Sequence, residues 1–182
     1  MATTLKLIHE KGFKATTMRD IASNLNFEVA NVYNYIDSKQ SLLESFLDDI
    51  SDEFHLSIDN IMASTYSPEE KLRSLISANI QLTASKPYEV ALLMNDWRHL
   101  NGNKLKDFLK RRMDYENKVS SIITEGIKRK QFRKMDIEIA TYSVLASLRW
   151  LYSKYTDRVT KLNPIEIEKQ ISDFIFAGIG RI

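Results

Sequence analysis

The chain has 182 residues, a formal net charge of +2 and no cysteine, with 43% hydrophobic and 27% charged residues. This composition is typical of a globular protein of one large or two small domains, and the lack of cysteine excludes a disulfide framework, a thiolate nucleophile and a cysteine-based metal site. Only 5 glycines and 3 prolines interrupt the chain, which favours long helices over a strand-rich fold.

The first predicted element is a helix over Thr3–Lys11. Thr17 and Asp20 then have the spacing of a capping box, which predicts the start of a second helix. Asn26 tolerates the left-handed backbone conformation that often ends a helix. We expect Phe27, the next residue, to fill the core beneath this turn.

A third helix is predicted over Glu28–Tyr35, with Val32 and Ile36 facing inward, and Ser38 is the expected cap of a long helix. Two helices joined by a short turn can present one helix to the DNA major groove. Asparagine pairs with adenine, and small apolar side chains contact thymine methyls. The residues expected to face outward are suited to such contacts, and they are Val29, Ala30, Asn31, Asn34 and Tyr35. The pattern alone leaves open three packed helices without a DNA role.

The stretch from Gly12 to Leu47 resembles the DNA-binding domain of the TetR family of bacterial transcriptional regulators. The matching residues are Gly12-Phe13, Thr16-Thr17, Ile21-Ala22, Val32-Tyr33, Tyr35-Ile36, Ser38-Lys39 and Leu42-Leu43. At the turn, Asn26-Phe27-Glu28 replaces the family's usual Gly-Val-Ser. The resemblance implies a double-stranded DNA operator and these DNA-binding residues: Thr17, Arg19, Val29, Ala30, Asn31, Tyr33, Asn34, Tyr35 and Lys39.

Within that set, the resemblance implies that Thr17, Arg19 and Lys39 contact the phosphate backbone and that Tyr33 reaches a phosphate. Tyr33 and Tyr35 lie about 200° apart on an ideal helix, so we expect them to face different ways, and the alternative is that one of them is simply a core residue. The first 46 residues carry five positive and five negative charges. Such a neutral module must rely on placed hydrogen-bond donors and on two copies per operator.

The long helix is predicted from Ser38 to about Ser64, where it would link the DNA-binding residues mechanically to the remainder of the chain. A further helix begins at Ser67-Pro68, where the sequence has both a capping box and a proline start. Residues 104–134 carry eleven Lys and Arg against four acids. This excess indicates either a solvated helix face or the mouth of a site for an anionic ligand.

The penultimate helix is predicted from Asp136 to about Asp157, and it is apolar on two sides. Both sides must be buried, one against its own domain and the other against something else. Asn163-Pro164 begins the last helix. Two final helices with wide apolar faces predict a homodimer through a four-helix bundle, which the TetR resemblance also implies.

The expected fold is therefore all-α, with about nine helices. A three-helix, helix-turn-helix DNA-binding domain would occupy residues 1–46, and a helical ligand-binding and dimerisation domain would occupy residues 47–182.

A second resemblance lies in the C-terminal part, in Ser147–Tyr152, in Tyr155 and in the run from Leu162 to Ile167. These residues are similar to a C-terminal subgroup of TetR regulators, several of which respond to acyl-CoA thioesters. An acyl-CoA needs an apolar tunnel and phosphate partners, and Arg149 with the basic helix could supply the latter. Alternatively, Arg149 pairs with an acid at the dimer interface. The candidate effector residues are Trp97, Phe108, Tyr142, Arg149 and Trp150, each of which could instead be plain core.

The sequence thus predicts a ligand-responsive, dimeric transcriptional repressor released from its operator by a small apolar or acyl-CoA-like effector. The alternative is a degenerate TetR-like dimer that binds a protein or ligand partner without specific DNA binding, as Glu28 and the neutral module suggest. We expect no enzyme and no cofactor, because His9, His55 and His99 lie in no ligand-spaced motif and no glycine-rich phosphate loop is present. No apolar run is membrane-length and no signal peptide precedes the first helix, so we expect a cytoplasmic protein without a membrane partner.

Overall fold

A computed structural model describes residues 2–157 and 162–180. These residues form ten α-helices and one short 3-10 helix. The α-helices are α1 (Ala2–Lys11), α2 (Met18–Asn24), α3 (Val29–Val32), α4 (Lys39–Ala63), α5 (Pro68–Ser85), α6 (Pro87–Asn95), α7 (Gly102–Lys128), α8 (Ile137–Arg149), α9 (Leu151–Thr156) and α10 (Pro164–Ile179), and the 3-10 helix is Trp97–His99. Counting α8 and α9 as the halves of one interrupted helix gives the nine helices of the prediction, and the all-α class is confirmed.

The chain divides into two compact units, and the first consists of Met1–Asp52 and Tyr88–Phe108. Its core is built from α1, α2, α3 and the start of α4, together with Leu92 and Leu100 from the second segment. The first unit thus contains the helix-turn-helix stretch and also α6, the 3-10 helix and the first turns of α7. It holds eight Lys and Arg against eleven Asp and Glu.

The second unit consists of Glu53–Pro87 and Leu109–Ile182. Within it, α10 packs against α5 and α8, and α5 also contacts α9. The buried core residues of this unit recur at helical spacing, and they include Ile58, Leu72, Ile76, Ile80, Val119, Ile123, Val144, Leu148, Leu151, Ile171 and Ile175. None of the helices in the described ranges is long and apolar enough to span a membrane.

Side-chain caps set the helix starts that the sequence predicted. Ser67 accepts a hydrogen bond from the Glu70 amide, and the Glu70 carboxylate accepts one from the Ser67 amide, so α5 begins with a capping box followed by Pro68. Asp136 caps α8, and Asn163 caps α10, which has proline at its first position. Local sequence alone is sufficient to locate these three helix starts.

The predicted penultimate helix is not continuous, because it is interrupted at Trp150 between α8 and α9. The Trp150 carbonyl accepts both the amide (3.1 Å) and the hydroxyl (2.7 Å) of Ser153, three residues on. This tighter connection competes with the four-residue ladder of an α-helix. The predicted division of the helix into a buried and an outward side is nevertheless observed: Thr141, Val144 and Leu148 are buried, whereas Tyr142, Ala146 and Trp150 are exposed.

Candidate nucleic-acid interface and effector site

The turn before α2 is tied down by Asp20. Its carboxylate accepts the amide and the hydroxyl of Thr17, each at 2.7 Å, and forms an ion pair with Lys11 at 2.8 Å. The hydrogen bond from Lys11, then those from Thr17, hold the pKa of the Asp20 carboxyl well below its usual range. The predicted capping box is confirmed. The Thr17 hydroxyl proton is therefore already committed inside the protein.

The end of α2 is closed by an asparagine in the left-handed conformation, as predicted, with φ of 56° at Asn26. The Phe27 amide donates to the Ala22 carbonyl (2.9 Å) and the Asn26 amide to that of Ser23 (3.2 Å), which is a Schellman-type ending. The expectation that Phe27 fills the core is wrong, since its side chain is 56% exposed. The nearby apolar residues that are buried in the core of this unit are Ile21 and Val32.

The helix α3 is only four residues long, shorter than the predicted Glu28–Tyr35, and Glu28 makes no side-chain hydrogen bond at its start. The exposed Tyr33 and Tyr35 follow its last helical residue, Val32, with 51% and 85% of their surfaces open. Because the helix ends before both tyrosines, the 200° separation expected on an ideal helix does not apply to them. Both side chains are exposed, so neither tyrosine is a core residue. Buried Val32 is flanked by the outward residues Ala30, Asn31 and Asn34, whereas Val29 is half-buried.

Lys39, the first residue of α4, is directed into the protein. Its ammonium donates to the carbonyls of Phe13 (2.8 Å), Lys14 (3.2 Å) and Thr16 (2.7 Å). It also lies 4.6 Å from the centroid of the Phe13 ring. An ammonium has three protons, so the donors of Lys39 are all in use.

The exposed cations of the helix-turn-helix stretch that form no ion pair with a described residue are Arg19, which the resemblance predicted, and Lys14, which it did not. Lys14 occupies a turn position between two matched motifs, and no periodicity marks it. The only signal that could have indicated it is the count of basic residues in this stretch, once Lys11 and Lys39 are known to be engaged elsewhere.

The five predicted effector residues do not lie in one compact unit. Trp97 and Phe108 belong to the first unit, where their rings stack with centroids 5.8 Å apart, and the Arg98 guanidinium lies over the Trp97 ring. Tyr142, Arg149 and Trp150 belong to the second. The predicted set is therefore divided between the two units, with the stacked aromatic pair in the first.

In the second unit, Glu116 is the centre of a polar cluster on α7 and α8. Its carboxylate accepts from Arg112 (3.1 Å), Arg149 (3.3 Å) and the Tyr142 hydroxyl (3.2 Å). The negative charge of Glu116 raises the pKa of the Tyr142 hydroxyl. Arg149 therefore has an acidic partner, Glu116, within its own chain.

The sequence did not single out two tyrosines of the second unit, Tyr115 and Tyr155, whose hydroxyl groups are buried. The Tyr115 hydroxyl accepts a hydrogen bond from the Asn79 amide (2.9 Å), and burial raises the pKa of Tyr115 to about 12. His55 lies edge-on to the Tyr115 ring, and burial, then the nearby cations, lowers the pKa of His55. The Tyr155 hydroxyl is buried with no partner among the described residues. Nothing in a single sequence distinguishes these residues from ordinary core.

A surface groove of about 560 Å³ also belongs to the second unit. It is formed by the end of α4, the start of α5 and the C-terminal half of α7, and its polar lining includes Lys71, Ser120, Thr124 and Arg129. Lys71 and Arg129 are engaged with the Met62 carbonyl and with Glu125, respectively. No cluster of three or more potential metal ligands occurs in the part of the chain that the structure describes.

Two family comparisons account for most of the chain. Residues 1–46 match the family described as "Bacterial regulatory proteins, tetR family", and residues 65–179 match "Tetracyclin repressor-like, C-terminal domain". The chain belongs to the TetR family. This TetR-family protein is therefore a transcriptional regulator and not an enzyme.

Relatives and solved structures extend over nearly the whole of this TetR-family chain. The HTH-type transcriptional repressor KstR2 of Mycolicibacterium smegmatis is 24% identical over 172 residues, covering 93% of this chain and 83% of the relative. The structure of the ketosteroid transcriptional regulator KstR2 of Mycobacterium tuberculosis is similar with a TM-score of 0.92 at 19% identity, covering 99% and 92% of the two chains. The structure of AibR in complex with isovaleryl coenzyme A and operator DNA has a TM-score of 0.84 at 21% identity and covers 96% and 95%.

Proposed function

We propose that this TetR-family regulator is a cytoplasmic, dimeric repressor that binds a double-stranded DNA operator and is released by a small apolar or acyl-CoA-like effector. A ligand releases DNA only to the extent that it binds the non-DNA-binding conformation more tightly. The proposal therefore has three parts, which are DNA reading, dimerisation and effector binding.

The observation that carries DNA reading is the outward surface around buried Val32. Ala30, Asn31, Asn34 and Tyr35 are exposed on and just after α3, while the helix is anchored by Val32. Asparagine amides and small apolar groups at such positions match the donor, acceptor and methyl pattern of the major groove. Arg19, exposed on α2, is proposed as a phosphate contact, and Tyr33 as a second one.

Dimerisation is proposed through α8 and α10 of the second unit. Ile139, Tyr142, Ala146 and Trp150 form an exposed stripe along α8 at helical spacing, and Phe174 on α10 is 73% exposed. Apolar side chains presented in a row indicate a surface that a partner covers. A second copy of the same chain is the proposed partner, because a two-fold symmetric operator is read by two copies.

The effector is proposed to bind in the second unit, with an apolar part among the core residues near Tyr115 and Tyr155. The donors Arg112 and Arg149 would bind its phosphate or carboxylate groups, since guanidinium recognises both. The similar regulator AibR was solved with isovaleryl coenzyme A, which supports this ligand class. Tyr142 and Trp150 lie on the α8 stripe, so an effector that contacts them also touches the proposed dimer surface. Trp97 and Phe108 belong to the first unit and are not part of this proposed site.

The decisive experiment measures binding of the purified protein to the DNA flanking its own gene, at two salt concentrations, with and without isovaleryl-CoA and a long-chain acyl-CoA. The expected result is a sequence-specific complex of two protomers with the DNA, which dissociates when one of these thioesters is added. A specific complex that persists in the presence of every acyl-CoA would overturn the proposed effector class, but it would still support the repressor function. Failure to bind that DNA and to enrich any duplex from a random library would overturn DNA reading.

Dimerisation has its own test, the molar mass in solution measured by light scattering. Phe174→Glu is expected to convert a dimer into a monomer, because a buried carboxylate without a partner is costly. Leu56→Glu is the matched control, since Leu56 is also a large exposed apolar residue but lies on α4. If both variants remain dimeric, the interface is elsewhere.

The degenerate TetR-like dimer is the second candidate. The acidic excess of the first unit favours it, since DNA-binding domains are usually basic. This candidate predicts a dimer that binds an acyl-CoA or a protein partner but enriches no duplex.

A further inference from the structure

The Lys39 ammonium has no hydrogen-bond donor left for a DNA phosphate, because all three of its protons are used within the protein. It donates at 2.8, 3.2 and 2.7 Å to three carbonyls of the turn Phe13–Thr16, which lies 23 to 26 residues earlier in the sequence. A direct phosphate contact would require at least one of these charge-assisted bonds to break. The resemblance predicted such a direct contact for this residue.

The position of Lys39 is electrostatically unfavourable on its own helix. It occupies the first turn of α4, where the helix dipole is positive and a cation is disfavoured. The three carbonyl oxygens offset this cost. They also connect the start of α4, which follows the residues proposed to read DNA, with the turn between α1 and α2.

The turn directs carbonyl groups toward Lys39 and backbone amides away from it. Its peptide bonds are trans and planar, so each N–H is directed opposite to the carbonyl of the same peptide unit. The carbonyls of Phe13 and Lys14 point at Lys39, which directs the amides of Lys14 and Ala15 away from it. Neither amide donates to an acceptor in the described part of the chain, whereas the Thr17 amide donates to Asp20.

Lys14 adds a positive charge on the same turn. Its side chain is exposed and forms no ion pair within residues 2–157 and 162–180. Backbone amides and lysine ammonium groups are common donors to phosphate oxygens in protein–DNA complexes. Two free amides and one free ammonium are therefore presented by one turn of the unit that carries α3.

We propose that the turn Phe13–Thr16 is a DNA phosphate contact in which Lys14 binds the phosphate and Lys39 is the positioning residue that orients the turn. This inference rests on the DNA reading proposed above. It assigns Lys39 an internal role and transfers the phosphate contact to a residue that the resemblance did not indicate.

The test uses the full-length protein and the duplex that the wild type binds specifically. The logarithm of the association constant is measured against the logarithm of the salt concentration, because its slope counts neutralised phosphates at about 0.9 each. Lys14→Ala is expected to reduce this slope by about 2 per dimer, one phosphate for each protomer. Lys134→Ala, an exposed lysine of the second unit, is the matched control and should leave the slope unchanged.

Lys39→Arg separates positioning from direct contact. It keeps the charge, but a planar guanidinium cannot donate in the three directions that the carbonyls require. Positioning predicts that Lys39→Arg and Lys39→Gln reduce the slope as Lys14→Ala does, and that combining either with Lys14→Ala causes no further reduction. A direct contact predicts an unchanged slope for Lys39→Arg and an additional reduction in the Lys39→Gln, Lys14→Ala double variant.

Three outcomes would overturn the inference: an unchanged slope for Lys14→Ala, a lower melting temperature of the Lys39 variants with an unchanged slope, or additive slopes in the double variant. If the Lys39 variants fail to fold, NMR of the wild-type lysine side chains replaces them. The Lys39 ammonium signal should persist and stay unshifted when the duplex is added, while the Lys14 signals shift. A wild type that binds no duplex overturns DNA reading itself, which is a separate result.

Discussion

Arg149 and Glu116 form an ion pair within one protomer, with Arg149 Nη2 at 3.3 Å from Glu116 Oε1. Arg112 binds the same oxygen at 3.1 Å, and the Glu116 side chain is only 15% exposed. Two guanidinium groups thus surround one shielded carboxylate on the second unit. This arrangement concentrates hydrogen-bond donors where a ligand's phosphate or carboxylate could replace or join Glu116.

Arg149→Met is expected to weaken acyl-CoA binding about tenfold or more, since a hydrogen bond to a charged group contributes roughly 1.5–3 kcal/mol. Titration calorimetry with isovaleryl-CoA and a long-chain acyl-CoA measures the change. Arg73→Met is the control, because Arg73 pairs with Glu69 on α5 and not with Glu116. Equal affinities for the wild type and Arg149→Met would remove Arg149 from the effector site.

Glu116→Gln should act in the opposite direction on the same titration. It removes the charge that Arg112 and Arg149 share, so the Arg149 guanidinium becomes available to an anionic ligand. Tighter acyl-CoA binding is therefore expected, together with a lower melting temperature of the ligand-free protein. Weaker binding would mean that Glu116 orients the arginines and that its carboxylate stays in place in the complex.

Phe27→Ala should lower the free energy of unfolding by less than about 1 kcal/mol, because an exposed side chain contributes little packing. Ile21→Ala is the comparison, since Ile21 is fully buried in the same unit and its truncation should cost about 2–5 kcal/mol. Urea unfolding followed by circular dichroism measures both. If Phe27→Ala lowered the free energy of unfolding by several kcal/mol, Phe27 would be a core residue, as the sequence predicted.

Gly126→Ala is expected to destabilise the second unit by about 1–3 kcal/mol through overpacking. The chain turns back after α7, with Lys130 at φ of 60°, and the Phe132 amide donates to the Gly126 carbonyl. A Cβ on Gly126 would overlap the Phe132 ring.

The melting temperature measures this effect, and a second variant identifies its source. Phe132→Leu has a smaller side chain, so Gly126→Ala should cost less in that background than in the wild type. An equal cost in both backgrounds would contradict a clash with the ring.

Asp20 should make stability depend on pH in the acid range. The hydrogen bonds from Lys11 and Thr17 lower its pKa in the folded state below the unfolded value of about 3.9. A depressed carboxyl pKa contributes stability that is complete above the unfolded pKa and is lost as pH falls through the folded one.

Asp20→Asn is therefore expected to have a lower melting temperature than the wild type at pH 7. The difference between the two melting temperatures should shrink as pH falls below about 4. Asp49→Asn serves as control, because Asp49 is an exposed acid of the same unit that forms no ion pair among the described residues. A constant gap between wild type and Asp20→Asn across the whole acid range would show that the carboxylate charge contributes nothing.

The boundaries of most helices followed from local chemistry. Capping boxes at Thr17 and Ser67, prolines at first positions and the left-handed Asn26 act over three or four residues, so the sequence predicted them correctly. The errors have a different origin. An apolar residue where the family has valine predicts a core position for Phe27, but burial depends on packing between helices, and the side chain is 56% exposed.

The candidate sites show the same division. Sequence predicted the surface around Val32, because apolar spacing separates inward from outward positions over one short helix. It did not predict that Lys39 is engaged internally or that Lys14 is free, nor that Glu116 gathers Arg112, Tyr142 and Arg149. Most of those partners are distant in the chain, and a single sequence contains no signal that pairs them.

By itself, the sequence determined the all-α class, the TetR-type helix-turn-helix and the positions where most helices begin, because periodicity and capping are local properties of the chain. Only the tertiary structure decided which charges are already satisfied, which aromatic side chains are exposed and which predicted effector residues share a compact unit. Hydrogen bonds and ion pairs between distant residues depend on how the helices pack, and packing is fixed by the whole set of core volumes at once.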